Sequence, residues 1–108
     1  MLVLFDQSTP APLRLHLNAH AVTEARERGW DRLTNGDLLN VAEAAGFEVF
    51  VTADKNLRYQ QNLASRKIAI VVLGNAQWRV LKNHADRVVS AVDSATPGSY
   101  AEVMIPRG

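Results

Sequence analysis

Asp6 and Asp54 each follow a short apolar run. Leu2-Val3-Leu4-Phe5 precedes the first; Phe47-Glu48-Val49-Phe50-Val51-Thr52, then Ala53, precedes the second. If these runs are neighbouring strands of a parallel sheet, both carboxylates arrive at the strands' carboxyl ends, where such sheets form their ligand crevice. Two carboxylates held there repel each other unless a cation lies between them. Oxygen ligands with several retained waters suit Mg²⁺ or Mn²⁺. The chemistry such a site supports is metal-assisted cleavage of a phosphodiester. Each aspartate also has a plainer role. Asp6 reads equally as a turn residue or a cap, and Asp54 as the N-cap of a short helix carrying Leu57 and Tyr59.

A third acid, Asp37, stands at the start of a helical pattern. Its spacing from Thr34 is that of a capping box, and an acid in a first turn favours the helix dipole. Its functional reading adds a third carboxylate to the crevice. Asn56 offers a neutral oxygen that orients a metal-bound water, or else ordinary turn chemistry two residues after Asp54. Glu43 reads as a solvated helix residue. Lys55, Arg58 and Tyr59 form a basic and aromatic stretch, with Gln60, Gln61 and Asn62 beyond. Such a stretch either meets a single-stranded backbone and stacks a base or is a plain solvated loop. His16, His20 and His84 give no zinc spacing, and no Gly-rich phosphate loop or nucleophile elbow is found.

The 108 residues make one domain with room for a modest core. With no cysteine, disulfides, thiolate metal sites and cysteine nucleophiles are excluded, which fits a cytoplasmic protein. No apolar run reaches the ~20 residues of a membrane span, and the apolar run at residues 2–5 lacks the basic flank and length of a signal peptide. The net charge of +1 leaves any nucleic-acid attraction to a local patch.

The elements that must position these residues alternate between strand and helix. Residues 2–5 form a strand apolar on both faces. Thr9-Pro10 reads as N-cap and first position of a helix burying Leu13 and Leu17. Residues 21–23 form a short strand, and Glu24 to Arg28 one helical turn ended by Gly29. Thr34 opens a helix with Leu38, Leu39, Ala42 and Ala45 at helical spacing, closed by Gly46. Strand 47–52 follows, then a polar stretch over 55–66 holding a short helix. Ile68 to Leu73 is a central strand. Trp78, Leu81, Ala85, Val88 and Val92 predict one long amphipathic helix. Pro97-Gly98 turns the chain into an edge strand from Tyr100 to Ile105. The expected fold is three-layer α/β/α with a mainly parallel central sheet and right-handed crossovers.

The order and spacing of these motifs resemble the small PIN-like domains of bacterial toxin-type proteins. Their first strand runs into Asp-Glu-Asn-Leu-Pro, here Asp6-Gln7-Ser8-Thr9-Pro10. A middle helix opens on an acid, here in Asn35-Gly36-Asp37-Leu38-Leu39 with Ala42-Glu43 following. A later strand ends in Thr-x-Asp-x-Asp-Phe, here Thr52-Ala53-Asp54-Lys55-Asn56-Leu57, and a hydrophobic strand follows at Ile68 to Leu73. The similarity spans roughly residues 1–93. It implies a Mg²⁺- or Mn²⁺-dependent ribonuclease, as the toxin half of a toxin–antitoxin pair. Asp6, Asp37 and Asp54 would be catalytic and would ligate metal together with Asn56, with Thr52 positioning ligands. Lys55, Arg58 and Tyr59 would meet RNA. Asn56 and Gln7 stand where the family pattern has acids, so a catalytically weak or inactive binding module is the alternative. A homodimer through the last strand or the Trp78 helix is the expected assembly, with a cognate antitoxin as a further partner.

Overall fold

The continuous apolar runs do become the interior of a sheet. In the computed structural model, which describes residues 1–60 and 63–107 without the side chains of Arg58 and Gln60, five strands lie in the order β2-β1-β3-β4-β5, all parallel. They are β1 (Leu2–Phe5), β2 (Ala21–Glu24), β3 (Val49–Thr52), β4 (Ala69–Leu73) and β5 (Tyr100–Val103). Every residue of β3 and β4 is buried, as is β1 from Val3 onward. Strands covered on both faces need side chains apolar in both directions. The two edges, β2 and β5, have mixed burial, so the edge position expected for the last strand is observed.

Alternate strand residues face two helical layers. Val3, Phe5, Val49, Val51, Val71 and Leu73 pack with Leu13 and Leu17 of a 3-10 helix (Ala11–Leu17) and with Leu81, Ala85, Val88 and Val92 near the C-terminus. Leu4, Phe50, Ile70 and Val72 pack with Leu38, Leu39 and Ala42 of α1 (Asn35–Ala44) and with Leu57 of α2 (Leu57–Gln60). The architecture is thus a three-layer α/β/α sandwich around a parallel sheet. No helix among the described residues is long and apolar enough to cross a membrane.

The crossovers are not all of one hand. The connection from β1 to β2 steps toward one edge on the face of the 3-10 helix; those from β2 to β3 and β3 to β4 step toward the other edge on the α1 face. Reversing both direction and face preserves handedness, so these three agree. The connection from β4 to β5 keeps the second direction but crosses on the 3-10 helix face, and is therefore of opposite hand. Uniformly right-handed crossovers, the expectation from nearly all βαβ units, do not hold here.

Three local expectations also change. The single helix predicted from Trp78 is α3 (Trp78–Leu81), a 3-10 turn (Lys82–His84) and α4 (Ala85–Asp93). Asn83 and His84 are weak helix formers, and Leu81 and Ala85 on either side of the tighter turn are both buried. Thr9 is not an N-cap. Pro10 takes that position without a side-chain bond, while Thr9 is buried and bonded between strands. Glu43 is not simply solvated: its Oε1 accepts from the backbone N–H groups of Lys67 at 3.1 Å and Ile68 at 3.3 Å, fixing the entry to β4. Thr34 does cap α1, accepting from Asp37 N–H at 3.3 Å, and Gly46 beyond its end has φ +87°, the left-handed region that suits glycine.

Candidate functional site

The strand order 2-1-3-4-5 places a topological switch point between β1 and β3. The chain leaves β1 toward one helical layer and β3 toward the other. A gap must open between the two departing segments, and Asp6 and Asp54 are the residues at its sides. Both line one cavity of about 260 Å³, together with Trp30, Leu33, Asn35 and Leu38. An adjoining cavity of about 380 Å³ shares Asp6, Gln7, Ala25 and Asp31 with it and extends toward Glu24 and Arg26.

Asp6 is held by hydroxyls. Its Oδ1 accepts from Ser8 N–H at 3.1 Å and from the Ser8 hydroxyl at 2.7 Å. Its Oδ2 accepts from Thr52 Oγ1 at 2.5 Å. The Thr9 hydroxyl, with one hydrogen, lies 2.8 Å from the Val51 carbonyl and 3.0 Å from Asp6 Oδ1. It therefore ties the turn after β1 to β3. Ser8 and Thr52 have both spent their hydrogens on Asp6, so their 3.4 Å Oγ–Oγ1 approach reflects a shared acceptor rather than a bond between them.

Thr52 links the two acids. It is 1% exposed, and the oxygen that donates to Asp6 also accepts the Asp54 backbone N–H at 3.0 Å. Ser8 Oγ plays a parallel part, accepting Ala53 N–H at 2.9 Å. Asp54 in turn accepts Asn56 N–H at 3.0 Å on Oδ1 and the Asn35 side-chain amide at 2.8 Å on Oδ2. Gln7 Nε2 donates to the Asp31 carbonyl at 2.7 Å, which fastens the loop before α1 to the turn after β1.

The remaining sequence candidates fall elsewhere. Asp37 is exposed in the first turn of α1, its N–H capped by Thr34, and it does not line the cavity of Asp6 and Asp54. Asn56 is exposed, and its backbone serves the turn at Asp54. Lys55 lines a different cavity of about 170 Å³, with Gly74, Glu102 and Arg107. Tyr59 is 73% exposed, and the Arg58 side chain lies outside the described residues. Conversely, Ser8, Asn35, Trp30 and Asp31 stand at the site without having been singled out by sequence. A usable signal existed for part of this: Arg26-Glu27-Arg28-Gly29-Trp30-Asp31-Arg32 interleaves three arginines with an aromatic residue.

Among the described residues no three His, Asp or Glu side chains are grouped closely enough to hold one metal ion. The donor pair linked through Thr52 is Asp6 and Asp54, with the exposed Asp31 also on the cavity. A carboxylate has about four lone-pair sites, and Asp6 Oδ2, Asp54 Oδ1 and Asp54 Oδ2 each take a single hydrogen bond described above. Acceptor capacity is therefore left on both. Mg²⁺ is commonly held by one or two carboxylates with its other positions filled by water and phosphate oxygen, so the pair fits such an ion, whereas a closed all-protein cage does not. No family model, curated protein or solved structure matches the chain.

Proposed function

We propose that the chain is a Mg²⁺- or Mn²⁺-dependent ribonuclease of the PIN-like kind, with Asp6 and Asp54 as its metal-holding carboxylates. The observation that supports this reading is the placement of both acids on one cavity at the β1/β3 switch point, cross-linked through the Thr52 hydroxyl. When bound, the cation would supply an activated water and offset charge on the scissile phosphate. The protein's own contribution is preorganisation. Ser8 and Thr52 fix the Asp6 carboxylate, while Asn35 and the Asn56 backbone fix that of Asp54. Neither acid has to be reoriented when the phosphate arrives.

One observation favours a second reading, a PIN-like module that binds without turnover. Asp6 Oδ1 already accepts both the N–H and the hydroxyl of Ser8, and Asp37 is not on the cavity. Hydrolysis of a single-stranded RNA by substoichiometric protein separates the two. The ribonuclease turns over with Mn²⁺, stops with chelator, and is lost in Asp54→Asn. Strand binding without turnover supports the module, and cleavage that survives both chelator and Asp54→Asn refutes the site.

A further inference from the structure

The cavity that holds the two carboxylates is chemically divided. Asp6, Asp31 and Asp54 lie on it with Gln7, Ser8 and Asn35, and the other part of its wall is Ala25, Trp30, Leu33 and Leu38. A metal and a phosphate account for the acidic part only. The apolar part is large for a site that takes an inorganic anion, and it adjoins the acids within a space of about 260 Å³.

Trp30 is the largest side chain on that wall, half-buried, and its indole is set in place from two directions. It packs edge-on against Phe47 with ring centroids 6.0 Å apart, and the Arg28 guanidinium sits 5.0 Å from its centroid. Its backbone N–H is bonded to the Ala25 carbonyl at 3.0 Å, and its own carbonyl accepts Leu33 N–H at 3.1 Å. The loop is thus closed on itself and tied to β1 through Gln7. Such an indole presents a fixed aromatic surface at little entropic cost to a planar ligand. Along the same segment Arg26, Arg28 and Arg32 outnumber Glu27 and Asp31; Arg26 is paired with Glu24 at 3.2 Å on the adjoining cavity, which leaves Arg28, over the Trp30 ring, and Arg32 to offset the repulsion of a polyanion by the carboxylates.

We infer that the 26–33 segment is the strand-binding lip of the site, and that Trp30 packs against an unstacked nucleobase whose phosphate lies toward Asp6 and Asp54. This rests on the phosphodiester reading above and adds to it the surface that holds the base. A base must leave its stack to enter a cavity of this size, which is cheapest when the strand is unpaired. Base–aromatic packing is tolerant of sequence, because every base has a π-face. The 55–59 segment is the competing interface, but Lys55 lines a separate cavity with Glu102.

The test uses binding in chelator, so that cleavage plays no part. Trp30 and Trp78 are the two tryptophans. In a Trp78→Phe protein, indole emission therefore reports Trp30 alone. A single-stranded oligouridylate should quench that emission saturably, and the same strand annealed to its complement should not. Trp30→Phe should bind less tightly and Trp30→Ala about ten-fold more weakly than the parent, the range expected for loss of one base–aromatic contact. Lys55→Ala and Tyr59→Ala should leave affinity unchanged. The inference is overturned if the strand binds by mobility shift without altering Trp30 emission, if the duplex quenches equally, if nothing binds, or if the 55–59 variants weaken binding instead. The two proposals fail separately. Quenching without Mn²⁺-dependent cleavage would sink the ribonuclease and keep the lip, whereas cleavage with an unchanged KM in Trp30→Ala would sink the lip and keep the ribonuclease.

Discussion

Replacing Thr52 by valine isolates the bond on which the geometry of the site depends. The two side chains have nearly the same shape, so the substitution leaves no cavity at a position 1% exposed. It removes a 2.5 Å donor from Asp6 Oδ2 and the acceptor for Asp54 N–H at 3.0 Å. A hydrogen bond to a charged group is worth about 1.5–3 kcal/mol, and a backbone N–H left without a partner costs about 1–3 kcal/mol when buried. Both neighbours are only half-buried, so water recovers part of each loss. The added methyl group returns about 0.8 kcal/mol of apolar burial. The balance is a destabilisation of about 2 kcal/mol, which in a domain of this length lowers Tm by about 8 °C. Urea unfolding should show a lower midpoint at unchanged slope. Thr52→Ser, which keeps the hydroxyl, should retain the bridging. In an Asp6→Asn background the valine substitution should cost less, because its acceptor is no longer charged. A loss under about 0.5 kcal/mol, the scale of an ordinary surface change, or strict additivity with Asp6→Asn, would refute the bridging role.

Three further outcomes follow from single contacts. A Cβ on Gly74 would lie 2.8 Å from the Val103 carbonyl oxygen and 3.0 Å from Ile105 N, both backbone. Gly74→Ala should thus cost about 1–3 kcal/mol by overpacking and expose β5 amides to hydrogen exchange, whereas Gly46→Ala, with open space but φ +87°, should cost about 1–2 kcal/mol without affecting β5. Glu43→Ala should lose about 1 kcal/mol by orphaning the N–H groups at the start of β4, and Glu43→Gln, which keeps an acceptor, should recover most of it in the same melt. Asn56→Asp should leave Mn²⁺ affinity by calorimetry unchanged, since the residue is exposed and its backbone, not its side chain, serves Asp54; a tighter ion would put that side chain in the site.

The elements that were legible in the sequence are those fixed by local forces. Runs such as Ile68 to Leu73 must be buried on both faces, and Thr34 and Gly46 punctuate α1 by short-range capping. What was not legible depends on contacts distant in sequence. No periodicity tells that β3 lies beside β1, or that the segment from Trp78 to Asp93 crosses the face opposite to α1. Thr9 shows the same limit. Next to a proline it has the composition of a cap, but the Val51 carbonyl, 42 residues away, captures its hydroxyl. At Asp37 the local reading as a cap-associated acid accounts for its position, because it stands in the first turn of α1, which begins at Asn35, and it is the Asn35 amide that reaches Asp54.

The site's asymmetry has a structural origin. β1 and β3 are parallel neighbours, so the residues just after each are brought side by side without any long-range design of side chains. Repulsion between Asp6 and Asp54 must then be managed locally. Among the described residues, the bonds are made at Asp6 by the short hydroxyl residues Ser8 and Thr52 and at Asp54 by the Asn35 amide and Asn56 N–H, rather than by lysine or arginine. Hydroxyls satisfy carboxylate oxygens without neutralising them. A cationic partner would have satisfied the same oxygens and removed the attraction for a divalent ion. Arg28 instead stands one loop away, over the Trp30 ring, where it would act on a strand without quenching the acids. If the proposed cation site and strand-binding lip hold, that separation would let a chain of net charge +1 carry both in adjoining space.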